Sequence, residues 1–214
     1  IFAHELGNQK AILPSKKHFF QAVRKTHTRC QGAYAVVALI TGFGLVAFRD
    51  PRGIRPLVIG EKDGNLKKEY IVASENAAFS ALGFKTLRDV EPGEAIYIDA
   101  DGNLHSEQCS KSSKSTPCIF EYVYLSRPDS TLDEISVYKA RMRMGQKLAK
   151  KILRLNPNHD IDVVIPIPDS STTAALQLAA ALKLPYRQGF VKNRYVGRTF
   201  IMPNQEERKK SVRR

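Results

Sequence analysis

From Ala33 to Ala100 the chain alternates short apolar runs with turn-forming breaks, and this rhythm restricts the fold more than anything else in the sequence. AYAVVALI, GLVAFRD, PLVIG, YIVASE and AIYIDA are rich in β-branched and aromatic residues. TGF, DPRG, EKDGN, EPGE and DADGN, each with a glycine, stand at the breaks. Runs of five to eight residues are too short for helices and suit strands, and turns this short join neighbours running in opposite directions. The spacing therefore predicts an antiparallel meander. Ahead of it, KKHFFQAVRKTHTR (16–29) places Phe19, Phe20 and Val23 at helical spacing on an otherwise basic segment, so a basic amphipathic helix is expected there.

The rhythm then changes. HSEQCSKSSKST (105–116) is polar and poor in apolar residues, as a connection between structural units would be. Beyond it the pattern reads strand, helix, strand. CIFEYVYL (118–125) is followed by a helix around Ile135 to Leu155, with Tyr138, Met142, Gly145, Leu148, Ile152 and Leu155 expected on its inward stripe. IDVVIPIP (161–168) reads as a strand buried on both faces, and TTAALQLAAALKL as the next helix. Two units of different class are expected, an antiparallel one over 1–116 and a parallel α/β one over 117–214.

The chain carries 34 basic against 21 acidic residues, a formal charge of +13. This directs attention to anionic partners: nucleic acid, an anionic membrane surface or a phosphorylated small molecule. The longest uncharged stretch, Gln31 to Phe48, is broken by Thr41, Gly42 and Gly44, and fits two strands and a turn better than a membrane span. Cys30, Cys109 and Cys118 have no CxxC spacing, so neither a disulfide framework nor a complete zinc site is expected, and a reducing cytosol is the expected compartment.

Three segments have the composition of a site. In PIPDSSTTAAL (166–176) a buried strand ends in a proline-bounded turn and a helix begins. Backbone N–H groups and the helix dipole favour phosphate there, and Asp169 with the neighbouring hydroxyls offers oxygen donors to a hydrated Mg²⁺. Plain helix capping is the competing reading. VKNRYVGRTFIMPNQEERKKSVRR (191–214) interleaves cations with Tyr195 and Phe200; it suits a loop over a polyphosphate, a single-strand nucleic-acid groove or a solvated surface loop. FRDPRGIRPLVIG (48–60) reads as a tight turn stabilised by buried Arg-to-Asp pairing. Ser74 and Glu75 lack the flanking glycines of a nucleophile elbow, and the five histidines show no ligand spacing.

Taken together, GAYAVVALITGFGLVAFRDPRGIRPLVIG, FEYVYLSRPDSTLDEISVYKARMRMGQKLA, IDVVIPIPDSS and LPYRQGFVKNRYVGRTFIMPNQEERKKSVRR resemble the amidophosphoribosyltransferases, in the same order and at compatible spacings. The resemblance covers nearly the whole chain. It implies a fold that is α/β and α+β: the C-terminal part of an N-terminal-nucleophile (Ntn) glutaminase domain over 1–116, then the N-terminal part of a type I phosphoribosyltransferase domain over 117–214. It implies glutamine-dependent transfer of ammonia to C1 of 5-phosphoribosyl 1-diphosphate, giving 5-phosphoribosylamine, in purine biosynthesis.

Residue by residue, the resemblance places Ser170 at the Mg²⁺-associated hydroxyl and Lys192 and Tyr195 in the loop that closes over phosphoribosyl diphosphate. Lys192 also matches a position tied to purine-nucleotide inhibition, and Tyr124, Tyr195 and Ile201 match positions that line an ammonia channel. Arg194 and Arg198 are added here on charge and proximity, as groups to stabilise departing pyrophosphate. No catalytic nucleophile is expected within the chain, because the family's cysteine nucleophile and its glutamine-binding residues would precede Ile1, and its acidic diphosphate motif would follow Arg214. Mg²⁺ is the cofactor implied. Cys118 matches one ligand of the [4Fe–4S] cluster found in some members, and the expectation here is no cluster. Glutamine, phosphoribosyl diphosphate and purine nucleotides are the implied partners, with homotetramer assembly and no nucleic acid or membrane. The alternative is a non-catalytic phosphoribosyl- or nucleic-acid-binding protein on the same fold.

Overall fold

The computed structural model describes all residues except 66, 112–113, 194, 196–202 and 213–214, together with the side chains of 211–212. It divides into two compact units, 1–141 and 142–214. Helices and antiparallel sheets are mixed, as the sequence predicts.

In the first unit, α1 (Phe2–Gly7) and α2 (Lys16–Arg29) precede seven strands: β1 (Ala35–Ile40), β2 (Gly44–Arg49), β3 (Val58–Asp63), β4 (Lys68–Ala73), β5 (Lys85–Asp89), β6 (Glu94–Asp99) and β7 (Leu104–Gln108). A short helix α3 (Ala77–Ala81) joins β4 to β5. The strands do not form one meander. They make a four-stranded sheet in the order β1-β2-β6-β7 and a three-stranded sheet in the order β4-β3-β5.

The alternation of β2 and β6 explains why two sheets are needed. Val46, Phe48, Ala95 and Tyr97 point to one face, where they bury against Phe19, Phe20 and Val23 of α2. Ala47 and Ile96 point to the other, where they meet Leu57, Ile59 and Val90. Successive side chains of a strand leave on opposite faces, so a sheet apolar on both needs a cover on each side. Helix α2 covers one face and the β3 sheet the other. The helix begins at Ser15, whose backbone N–H donates to Nδ1 of His18 at 3.1 Å.

Two strands escape the sequence pattern. β5 (KTLRD) and β7 (LHSEQ) are largely polar, and among the described residues each pairs along one edge, to β3 and to β6 respectively. Thus 105–108, expected as the start of a polar connection, completes a sheet instead.

The turn after β2 holds the buried pairing that the sequence suggests, with a different acid. Asp50 accepts main-chain N–H groups from Arg52, Ile54 and Arg55 at 3.0–3.1 Å. Arg49 reaches Asp133, in the turn between β8 (Thr131–Leu132) and β9 (Ile135–Ser136), with two bonds of 2.8 and 2.9 Å. Gly53, at φ +59°, lets the turn close, and an added Cβ would stand 2.8 Å from Pro92 Cγ.

Residues 117–141 pack with the first unit. CIFEYVYL is not a strand there: 121–125 form a π-helical turn. Its β propensity gives way because Glu121 and Tyr122 are buried with specific polar partners, a tertiary demand that outweighs local preference.

His27, between Tyr34 and Phe48, bonds to the Tyr34 hydroxyl at 2.8 Å, and burial lowers its pKa below the usual 6.5. As pH falls through 6.5 the ring of the unfolded chain takes up a proton that the folded ring resists. The unfolded state then binds more protons, so stability declines on the acidic side of 6.5 and levels off once the folded ring titrates. Urea midpoints between pH 7.5 and 5 should fall more steeply for the natural chain than for His27→Gln; parallel curves would refute a role for this ring.

The second unit holds most of α4 (Val137–Leu155), then α5 (Thr172–Leu182) and α6 (Gln205–Val212). Of the stripe of α4 expected to face inward, Gly145 lies against the backbone of Ala174, where a Cβ would stand 2.2 Å from a carbonyl oxygen, but Tyr138, Leu148 and Leu155 are exposed, and Val137, Arg141 and Ala149 are buried instead. Of the strand expected over 161–168, one parallel bridge forms, Val164 to Tyr186, with Val164 N–H donating to Pro185 O at 2.9 Å. Pro166 and Pro168 have no N–H to extend the ladder. Val164, Ala175 and Ala179 form the core beneath.

Candidate functional site

The second unit carries the site that the sequence singles out. After Val164 the chain turns through 168–171 and enters α5 at Thr172. Ser171 Oγ donates back to Ile167 O at 2.6 Å, and Ala175 N–H donates to Ser171 O at 2.9 Å, which closes the first helical turn. The early N–H groups of such a helix point out of its N-terminus and give it partial positive charge. Ser170 is half-buried in this turn, between Asp169 and the helix.

Opposite it comes the segment after the Val164–Tyr186 bridge. Lys192 Nζ lies 3.3 Å from Asp169 Oδ2. Pro166, Asp169, Thr172, Tyr186, Phe190 and Lys192 border a cleft of about 190 Å³. Both members of the ion pair are mainly solvent-exposed, so the pair is weak and an incoming anion or cation can divide it. The arrangement therefore offers an anion a lysine and a helix N-terminus, and a hard cation the carboxylate and nearby hydroxyls.

The other expected residues distribute as follows. Tyr195 stands fully in solvent, its N–H bonded to Asn193 Oδ1 at 3.0 Å. Tyr124 is half-buried in the π-helical turn of the first unit. Arg194, Arg198 and Ile201 lie outside the described residues. The structure thus brings Lys192 to the Asp169–Ser170 turn and leaves Tyr195 away from contact with it.

Oxygen donors at Asp169 and Ser170 fit a Mg²⁺ ion that keeps water and substrate oxygens as its remaining ligands. Cys118 is half-buried, and among the described residues no three His, Cys, Asp or Glu side chains gather at one point. Among them also, no helix is long and apolar enough to cross a membrane.

The first unit has a larger hollow, about 590 Å³, bordered by Asp89, Glu91, Asp133 and Glu134. Burial raises the pKa of Asp89, and nearby Asp133 adds to the shift. Four carboxylates line it against one guanidinium, that of Arg88, which is already paired with Glu94, so it does not suit a phosphorylated ligand and volume alone does not select it.

Sequence reading misses several buried charges, among them two at the π-helical turn. Glu121, in a run that looks like a strand, and Arg141, one turn along α4 from Val137, are each 4% exposed. Glu121 forms an ion pair with Arg55, and Arg141 bonds to the main chain of the π-helical turn. The signal available was a lone acid inside an apolar run, and a cation falling between stripe positions of α4.

Comparison with known proteins covers the whole chain. It is 60% identical over 213 residues to the amidophosphoribosyltransferase of Pseudomonas aeruginosa and 57% identical over 215 residues to that of Escherichia coli. Both matches take in all of this chain, which spans 42% and 43% of the two relatives' lengths. The amidophosphoribosyltransferase of Saccharomyces cerevisiae is 50% identical, again over 100% of this chain and 43% of its own length. Among solved structures, glutamine phosphoribosylpyrophosphate amidotransferase from B. subtilis, complexed with ADP and GMP, matches with a TM-score of 0.70 and 37% identity, covering 98% of this chain and 47% of that one. A structure described as the allosteric regulatory enzyme of purine biosynthesis matches at 0.75 and 38%, covering 98% and 42%. No family model matches the chain.

Proposed function

Because this chain belongs to the amidophosphoribosyltransferase family, we propose that it works within a longer, glutamine-dependent enzyme that transfers ammonia to C1 of 5-phosphoribosyl 1-diphosphate. The products are 5-phosphoribosylamine, pyrophosphate and glutamate, in the first committed step of purine biosynthesis. The observation that carries this reading is the placement of Lys192 against the Asp169–Ser170 turn at the start of α5.

In the reaction the bond from C1 to the diphosphate oxygen breaks and a C1–N bond forms. Pyrophosphate leaves with the bonding electrons, and the new amine loses a proton. Charge develops on the departing diphosphate, so groups aimed at it act on the transition state more than on the ground state. Lys192 neutralises that charge, and the α5 N-terminus holds phosphate oxygens. Tyr195, Arg194 and Arg198 close over the bound diphosphate from the same segment, and Asp169 and Ser170 take Mg²⁺, which supplies charge neutralisation when bound. Tyr124, Tyr195 and Ile201 shield ammonia from water, which would protonate and lose it.

The proposed domain boundary stays at 116/117, with 117–141 a transferase segment that packs on the glutaminase half. Purine nucleotides are proposed as inhibitors, homo-oligomeric assembly as the working state and the cytoplasm as the compartment.

The test is pyrophosphate release from phosphoribosyl diphosphate by the full-length protein, with glutamine or ammonium, in Mg²⁺ and in EDTA. Turnover with both donors, lost in EDTA, is the expected result. A folded protein inactive with either donor would overturn the enzymatic reading and leave a binding role.

A further inference from the structure

The π-helical turn Glu121–Leu125 is held by more buried polarity than one turn of helix requires. Ser126 N–H donates to Glu121 O at 2.9 Å, the wide closure that defines the turn. Arg141 donates from Nε to Tyr122 O and from Nη2 to Ser126 O, both at 2.8 Å. Glu121 pairs with Arg55 and accepts from Ser126 Oγ at 3.3 Å, and the Tyr122 hydroxyl donates to Leu132 O at 3.2 Å. Ser126 is as buried as the two charges.

Burying a guanidinium whose bonds go to neutral carbonyls is costly, and burial lowers the pKa of Arg141. Apolar packing would hold a plain turn at lower cost. The arrangement fixes the path of the main chain instead: Arg141 bridges two carbonyls four residues apart, and Tyr124 lies midway between them. The same segment leaves Ile119, Phe120 and Val123 exposed, so apolar burial on this unit is not what sets its course.

We propose that Arg141, supported by Glu121, is a positioning residue that sets Tyr124 as a wall of the ammonia path. This rests on the function proposed above. Arg141 touches no substrate; it acts through the turn.

The experiment uses the full-length protein with Arg141→Met, which keeps an unbranched apolar stem and removes the guanidinium, and Glu121→Gln, which keeps its size and removes the charge facing Arg55. Glutamate and pyrophosphate are counted with glutamine as donor, and the rate with ammonium is measured in parallel. The unaltered protein should form one glutamate per pyrophosphate. Both variants should form about threefold more glutamate than pyrophosphate, with the ammonium rate within about twofold, because ammonia escapes while the transferase site works. A one-to-one ratio in a folded variant overturns the proposal. So does a parallel loss of both rates with the ratio kept, which marks a merely structural residue. If Arg141→Met does not fold, the ratio in Glu121→Gln decides. An unaltered protein inactive with ammonium and glutamine alike would instead bring down the enzymatic reading beneath it.

Discussion

Arg49→Ala should destabilise the first unit by about 3–5 kcal/mol, the cost of removing one partner of a buried ion pair. The side chain is 2% exposed and all five of its N–H groups are used. Nε donates to Arg55 O, Nη1 to Val90 O and Asp133 Oδ1, and Nη2 to Gly53 O and Asp133 Oδ2, at 2.8–2.9 Å. Burial opposes its charge, but the bonds to Asp133 outweigh that, and its pKa is raised. Alanine leaves three carbonyls and a carboxylate without the donor they face, which is worse than never having buried them. For a unit of this size the expected fall in Tm is roughly 10 °C or more. Arg49→Lys should fall between, since an ammonium keeps the charge and loses the planar fork. Thermal melts of the three proteins decide it: a change below about 2 °C for Arg49→Ala would mean that the clamp contributes no net stability.

Lys192→Ala should lower kcat/KM for phosphoribosyl diphosphate by roughly 10²-fold in the full-length protein, the scale of losing one preorganised group at a developing negative charge. Glutamine- and ammonium-dependent rates should fall together, because both nitrogen donors meet the same leaving group. That separates Lys192 from Arg141, whose loss should affect only the glutamine route. Lys192→Arg keeps the charge and should retain most activity. The exposed pair with Asp169 contributes little to folding, so the melting curve should stay in place. A change in kcat/KM under about threefold would remove Lys192 from the diphosphate site.

What was legible in the sequence follows from how local the cause is. Phe19, Phe20 and Val23 at helical spacing specify α2, found over Lys16–Arg29, because an amphipathic stripe of that period has one way to bury itself. The apolar runs that became β1, β2, β3, β4 and β6 were legible through propensity and glycine turns. β5 and β7 were not, because an edge strand such as KTLRD or LHSEQ is defined by the neighbour it pairs with, and its composition resembles a loop. The split into two sheets was hidden for a related reason: it depends on β2 pairing with β6 across some fifty intervening positions.

The candidate site shows the same division. The turn at 168–171 and the basic segment around Lys192 could each be named from sequence, since proline, serine and lysine carry their chemistry locally. Their meeting at 3.3 Å, with the parallel bridge that brings the two segments side by side, could not. The sequence by itself determined the family, the mixture of helices with antiparallel strands, and the helix α2. Only the tertiary structure decided that Arg49 pairs with Asp133, that CIFEYVYL coils, and that Arg141 secures the turn bearing Tyr124. The physical reason is that propensity acts over a few residues, whereas a buried charge takes its partner from wherever in the chain the fold supplies one.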